Sequence, residues 1–233
     1  MRIDKYIAAS TDLSRKEVKK LMKQGAVTVD GEVCDDSGEQ IDENTAVVAI
    51  NGERVYYMRA VYLMLNKPAG YVSAVRDAHY KPVTDLVPQE YAHMDVYPAG
   101  RLDIDTEGLL ILTNDGHFAH VLTSPNKNVY KRYFARLSRP MEENDVEAFA
   151  AGMEFKEFTS KPARLEITEN PNEVYIEIAE GKFHQVKRMC EKVGKSVEYL
   201  KRVAIGSVTL DESLALGEVR PLTVGEIASL LGE

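Results

Sequence analysis

Two spacings of hydrophobic residues divide the chain. In the first fifty residues the spacing is mostly helical. Ile3, Ile7 and Ala8 recur at helical intervals until Ser10-Thr11-Asp12 interrupts them. Ser14 and Glu17 form a capping box that opens a second helix. Val18, Leu21 and Met22 make its apolar stripe, and Lys16, Lys19, Lys20 and Lys23 recur on the opposite face. Gly25 ends that helix. Val27, Val29 and the pair Asp30-Gly31 predict a strand with a tight hairpin turn, and residues 46–50 close a small sheet. A helix–helix–hairpin module is thus expected over 1–50, followed by a linker at 51–60.

From residue 61 the runs are shorter and suit strands. They are expected at 62–65, 71–75, 109–112, 130–137, 164–168, 174–178, 197–203 and 207–210, with 96–98 leading into residues 100–109. Helices are expected at 116–123, 142–151, 184–193 and 224–231, the last opened by a second capping box, Thr223 to Glu226. Strands outnumber helices and do not alternate with them. The fold class is therefore α+β, with a mostly antiparallel mixed sheet over 61–233, rather than a doubly wound parallel sheet.

Composition bounds this picture without changing it. The chain has 233 residues, 44% of them hydrophobic and 28% charged, which is ordinary for a soluble protein. No apolar run approaches the roughly 18 residues of a membrane helix, and the first ten residues hold no signal-peptide apolar core. Cys34 and Cys190 stand apart from each other and from any Cys/His ligand set. That argues for a reducing, cytoplasmic setting and against a zinc site.

Charge adds more. A net charge of -8 argues mildly against nucleic acid, but its distribution argues the other way. Basic residues gather at 15–23, at 127–139 and at 182–202, while acidic residues gather at 30–43 and 142–147. The chain carries basic patches on an acidic body.

Four places could carry chemistry. The densest is residues 100–109, GRLDIDTEGL, where an Arg, two Asp and a Thr precede a buried strand. Loops against rigid elements are where active sites often sit. If 102–105 is extended, Asp103 and Asp105 point opposite ways, one to a cleft and one to structure; both could also be plain turn carboxylates. The second place is GKFHQVKRM, 181–189, where Lys182, His184, Lys187 and Arg188 surround a helix start. Such an end favours anions, and Lys187 could meet a carboxylate from another element. A solvated basic helix face, with His184 structural, is the plainer reading. Third, Lys131 and Tyr133 share one face of a strand; the Tyr could stack on a base or simply pack in the sheet. Fourth, Lys67 precedes a Pro/Gly turn and could meet phosphate. No phosphate loop, dinucleotide fingerprint, HExxH or GxSxG occurs. A carboxylate mechanism without cofactor or metal is the simplest enzyme reading.

LNKPAGYV, GRLDIDTEGLLILTNDG, KRYFARL, GKFHQVKRM and LALGEVRPLT occur in that order. Together they resemble the RsuA-type branch of the RNA pseudouridine synthases, and the N-terminal module resembles one shared with a ribosomal small-subunit protein. The resemblance implies the pseudouridine synthase fold and a cofactor-free isomerisation of uridine in ribosomal RNA of the small subunit. It implies Asp103 as nucleophile, Tyr133 packing on the target base, and Lys187 pairing with the catalytic carboxylate. Arg101 is implied to help fill the space left by a flipped nucleotide. Lys16, Lys19, Lys20, Lys23, Lys67, Lys131, His184 and Arg188 are the further RNA-binding candidates. The expected partner is ribosomal RNA, free or in an assembling particle, bound by a monomer that needs no membrane. Competing expectations are the same reaction on large-subunit RNA, a non-catalytic assembly factor, and a sugar hydrolase, which would need a second carboxylate about 5–9.5 Å from Asp103.

Overall fold

A computed structural model describes residues 1–57 and 60–232. It divides into two compact units, Met1–Val61 with Pro88–Asp95, and Tyr62–Val87 with Val96–Glu233.

The first unit holds helices α1 (Ile3–Ser10) and α2 (Arg15–Lys23) and strands β1 (Val27–Val29), β2 (Glu32–Val33), β3 (Val48–Ile50) and β4 (Glu53–Val55). The Ser14–Glu17 capping box opens α2. The sheet runs β2-β1-β3-β4. Ile3, Ile7, Val18, Met22, Val27 and Val48 are fully buried in one core.

The expected linker at 51–60 is corrected here. Asn51 and Gly52 both have positive φ and form the turn of a hairpin in which Val48 pairs Val55. Val55 is buried in the unit's core, and its carbonyl accepts a hydrogen bond from the Tyr6 hydroxyl at 3.2 Å. Tyr57 stacks on Tyr6, ring centroids 5.2 Å apart. A second two-residue turn therefore carries the module beyond residue 50. Residues 58 and 59 of the expected linker lie outside the described residues. Segment 88–95 also joins this unit, with His93 Nδ1 lying 3.4 Å from Asp12 Oδ1.

The second unit follows with β5 (Tyr62–Lys67), β6 (Tyr71–Val72), β7 (Lys81–Pro82), β8 (Tyr97–Pro98), β9 (Glu107–Thr113), α3 (Gly116–Thr123), β10 (Lys131–Leu137), α4 (Glu143–Ala151), β11 (Arg164–Ile167), β12 (Glu173–Ile178), α5 (Gln185–Lys192), β13 (Val197–Ile205), β14 (Val208–Thr209), β15 (Val219–Pro221) and α6 (Val224–Leu231). The main path of its large sheet is β11-β12-β10-β13-β9-β5-β15. Among the described residues its pairings are antiparallel except for β13 with β9. This is the mixed, mostly antiparallel sheet expected from the sequence. The expected strand at 71–75 shortens to Tyr71–Val72 and pairs in parallel with Lys81–Pro82 instead.

Phe118 and Leu122 from α3 and Leu230 from α6 bury Met64, Leu109 and Ile111 of the central strands. Each such side chain contributes roughly 1.5–3 kcal/mol when fully buried. Arg220 of β15 anchors α6 through Glu226 at 2.7 Å and also meets Asp211 at 2.6 Å. No helix among the described residues is long and apolar enough to cross a membrane.

Candidate active site

The loop between β8 and β9 carries Arg101, Asp103 and Asp105, and segment 66–73 clamps it. Ser73 Oγ accepts from the Leu102 amide at 2.9 Å and donates to the Leu102 carbonyl at 3.0 Å. The Gly70 amide donates to the Ile104 carbonyl at 2.7 Å. Lys67, with no exposed surface, donates from Nζ to the carbonyls of Thr106 at 2.8 Å, Pro68 at 3.0 Å and Ile104 at 3.4 Å. Burial pushes this amine down to about 8, against the pull of Asp105, Asp103 and Glu107. Lys67 is therefore a tie for the loop. The expected phosphate contact is corrected, because the three donors of its ammonium are spent on these three carbonyls.

Just beyond the loop, β9 meets β13. The site of contact requires a glycine. Gly108 has φ +98, and a Cβ there would lie 2.2 Å from the Arg202 carbonyl. The strands approach closely, with Arg202 opposite Gly108.

The loop itself turns. The Thr106 amide donates to the Asp103 carbonyl at 3.1 Å, so 103–106 is a β-turn rather than extended chain. The extended chain on which opposed carboxylates depend is absent, and both carboxylates reach Lys187 of α5. Its Nζ lies 3.3 Å from Asp103 Oδ2 and 2.5 Å from Asp105 Oδ1. Burial raises the Asp105 pKa, but the hydrogen bond and charge of Lys187 outweigh it, and the carboxyl titrates below its usual range. Asp105 is the site residue that the alternation argument mis-aimed. An Asp-x-Asp-Thr stretch is also a turn signal, and that signal wins here.

Asp103, not Asp105, faces a cleft of about 200 Å³ lined by Arg101, Tyr133, Phe183, His184 and Lys187 among others. Tyr133 is buried in its wall, beside a β-bulge where β10 slips on β13, a device common near active sites. His184 Nε2 lies 3.7 Å from Asp103 Oδ1. This residue sits just before α5 with φ +51, a left-handed conformation that is uncommon for His. Its ring stacks on Phe183 at 3.8 Å, and Phe183 is 70% exposed. A carboxylate held by a lysine, in a cleft with an aromatic wall and an exposed aromatic at its edge, suits nucleophilic attack on a flat, polar ring.

Known proteins resemble this chain in sequence and fold. The family described as RNA pseudouridylate synthase matches residues 61–192, and the S4 domain matches residues 1–47. The chain belongs to the RNA pseudouridine synthases. It is 45% identical over 231 residues to an uncharacterized RNA pseudouridine synthase of Bacillus subtilis, covering 97% of each chain. It is 40% identical to a ribosomal small subunit pseudouridine synthase A of Haemophilus influenzae, covering 99% of this chain and 100% of the other. The Escherichia coli protein of the same name is 39% identical, covering 99% of this chain and 100% of its own. A crystal structure of a pseudouridylate synthase superposes with TM-score 0.70 at 39% identity over 99% of each chain.

The structure of this synthase brings Arg101, Asp103, Tyr133, His184 and Lys187 together. It sends Arg188 elsewhere. That guanidinium pairs with Glu157 and lies over the rings of Phe155 at 4.9 Å and Phe158 at 5.0 Å. One helical step separates it from Lys187, enough to turn it toward the neighbouring 155–158 loop rather than the cleft. Lys131 lines an adjoining cavity together with Arg101 and Tyr133. Lys16, Lys19, Lys20 and Lys23 lie exposed along α2 and line a shallow groove with Ser14 and Gln24. Among the described residues none of these four is ion-paired, and Glu17 is engaged by Ser14 instead. Ser73 and Phe183 went unremarked in the sequence. An aromatic directly before the His of a basic motif was the available signal for Phe183.

Proposed function

We propose that this synthase isomerises a uridine of small-subunit ribosomal RNA to pseudouridine, with Asp103 as the nucleophile. The observation that carries this reading is the Asp103 carboxylate, 3.3 Å from Lys187 Nζ, in a cleft that Tyr133 walls. Lys187 supplies fixed positive charge beside a carboxylate that must be ionised to attack. Attack on the sugar or on the uracil ring frees the base by breaking the bond between N1 and the sugar. The base turns, C5 bonds to the sugar, the bond that Asp103 formed in the attack breaks to return its carboxylate, the C5 proton departs, and N1 takes one up. The product is an isomer, so the chemistry is complete without a cofactor.

The target must leave its stack first, at a cost of a few kcal/mol. Tyr133 and the exposed Phe183 offer stacking surface to offset it. The unit at the N-terminus, matched by the S4 domain, binds ribosomal RNA through phosphate contacts of Lys16, Lys19, Lys20 and Lys23. The setting is the cytoplasm. Small-subunit specificity rests on the names of relatives about 40% identical over the full length.

The test uses ribosomal RNA tritiated at C5 of uracil, as separate small- and large-subunit particles, with the wild type and Asp103→Asn. Release from small-subunit RNA alone, lost in the variant, is expected. Release from large-subunit RNA would overturn the substrate, and release by the variant would overturn the mechanism.

A further inference from the structure

Beside the catalytic cleft lies a larger cavity of about 710 Å³. The two share Arg101, Tyr133, Gly181 and Lys182 in their walls. Strand geometry puts two further cations into the larger one. Lys131 and Tyr133 are two apart on β10 and so share a face. Arg202 of β13 is the cross-strand partner of Tyr133 and points the same way. Lys131 and Arg202 both line the cavity.

Among the described residues, both cations are engaged by backbone carbonyls. Lys131 Nζ donates to the Val129 carbonyl at 2.7 Å. Arg202, 3% exposed, donates from Nε to the Leu109 carbonyl at 2.7 Å, and its Nη2 is buried with no hydrogen-bond partner among the described residues. Neither is in an ion pair among those residues. Glu180, the carboxylate in the lining, accepts instead from the Lys161 amide and from Gln185 Nε2. Burial pushes the Lys131 amine down to about 8, and the charge of Arg202 adds to this. Buried charges are ordinarily paired, because desolvation is costly. Two like charges side by side, one buried and one half-buried, with no carboxylate engaged to either, compound that cost in the free protein. An arriving anion would remove it.

We propose that this cavity is a phosphate subsite, in which Lys131 and Arg202 hold a phosphodiester flanking the target uridine. The inference rests on the reading of the cleft as the uridine site. Tyr133, in the wall common to both cavities, then stands between the base in the cleft and the backbone in the subsite. Charge-assisted hydrogen bonds in a desolvated pocket are strong, and a phosphate contact sets register without reading sequence. The subsite would hold the sugar of the flipped nucleotide in place while its base detaches and turns.

The test is a cycle between protein and RNA. Substrate RNAs carry one neutral methylphosphonate at each linkage flanking the target in turn. Each is assayed with the wild type, Lys131→Met and Lys131→Arg. At one linkage the neutral group is expected to lower wild-type kcat/KM by about tenfold or more. Lys131→Met is expected to lose a similar factor on unmodified RNA and nothing further on that neutral linkage, whereas Lys131→Arg stays near the wild type. Losses that multiply at every linkage, or a Lys131→Met variant within twofold of wild type on unmodified RNA, would overturn the proposal. Inorganic phosphate is the second probe. If Lys131→Met relieves inhibition by phosphate but shows no coupling to any linkage, the site takes a free anion and the RNA assignment is wrong. Wild-type turnover of unmodified RNA reports separately on the uridine site; if it is absent, the same cycle is read in RNA affinity.

Discussion

The lysines of α2 and the enclosed cations of the second unit obey opposite physics. Lys16, Lys19, Lys20 and Lys23 are exposed and unpaired among the described residues. Their charge is fully hydrated, so each is replaceable and the row matters more than any member. Lys67, Lys131, Lys187 and Arg202 are buried or half-buried, each with its own partners. There a charge costs desolvation, which is offset only by specific groups at fixed distances. Identical side chains therefore serve as an electrostatic field in one unit and as individual parts in the other.

Substitutions can break or sharpen that contrast. The largest effect is expected at Lys187. Lys187→Met should lower kcat by about 10²–10³-fold, the scale for a lost charge-stabilising group, with Tm near that of the wild type; rapid-quench turnover and calorimetry check both halves. Lys67→Met comes next. It strips donors from the three carbonyls that Lys67 ties, and should cost about 2–4 kcal/mol of stability as well as activity.

The Lys67 amine also gives a pH signature. Its folded value is about 8 against 10.5 in free chain. Between those values the unfolded state binds more protons than the folded one, so stability rises with pH. Denaturant titrations should show the wild type gaining on Lys67→Met from about pH 8 to 10.5, and no such gain below pH 7. An equal difference at every pH would mean that Lys67 is not desolvated.

Phe183→Ala tests whether an exposed aromatic is spent on RNA. A lost base stack is worth about 1–3 kcal/mol, so kcat/KM should fall about tenfold while urea unfolding is unchanged. The smallest single effects are expected on α2. Each Lys→Ala there should weaken RNA binding only a few-fold and change stability by less than about 0.5 kcal/mol. All four together should flatten the dependence of log affinity on log salt by about 3. A single α2 lysine matching the loss at Lys187 would erase the contrast.

Much of this was legible in the sequence because it depends on local order. The capping boxes at Ser14 and Thr223, the alternation along 131–137 and 173–178, and the carboxylate and lysine strings are all short-range patterns. What escaped is set by contacts between distant segments. Lys67 ends an apolar run and looks like a turn residue, yet β5 lies between β9 and β15, and that position seals it. β15 was missed because Val-Arg-Pro is three residues long and contains a proline, tolerable only because the strand is at the sheet's edge. Asp105 was mis-aimed because alternation assumes extended chain, and one hydrogen bond, Thr106 to Asp103, breaks the assumption. Segment 88–95 joins a unit that precedes it by decades of residues, which no local pattern encodes.

The central claim is that Asp103 attacks and Asp105 only helps position Lys187, although Asp105 is the nearer of the two to the ammonium. Single-turnover tritium release with Asp103→Asn and Asp105→Asn tests this most directly. The account predicts no detectable release from Asp103→Asn and a rate within about tenfold of wild type from Asp105→Asn, since the pairing of Lys187 with Asp103 survives. Turnover by Asp103→Asn, with Asp105→Asn inactive, would contradict it.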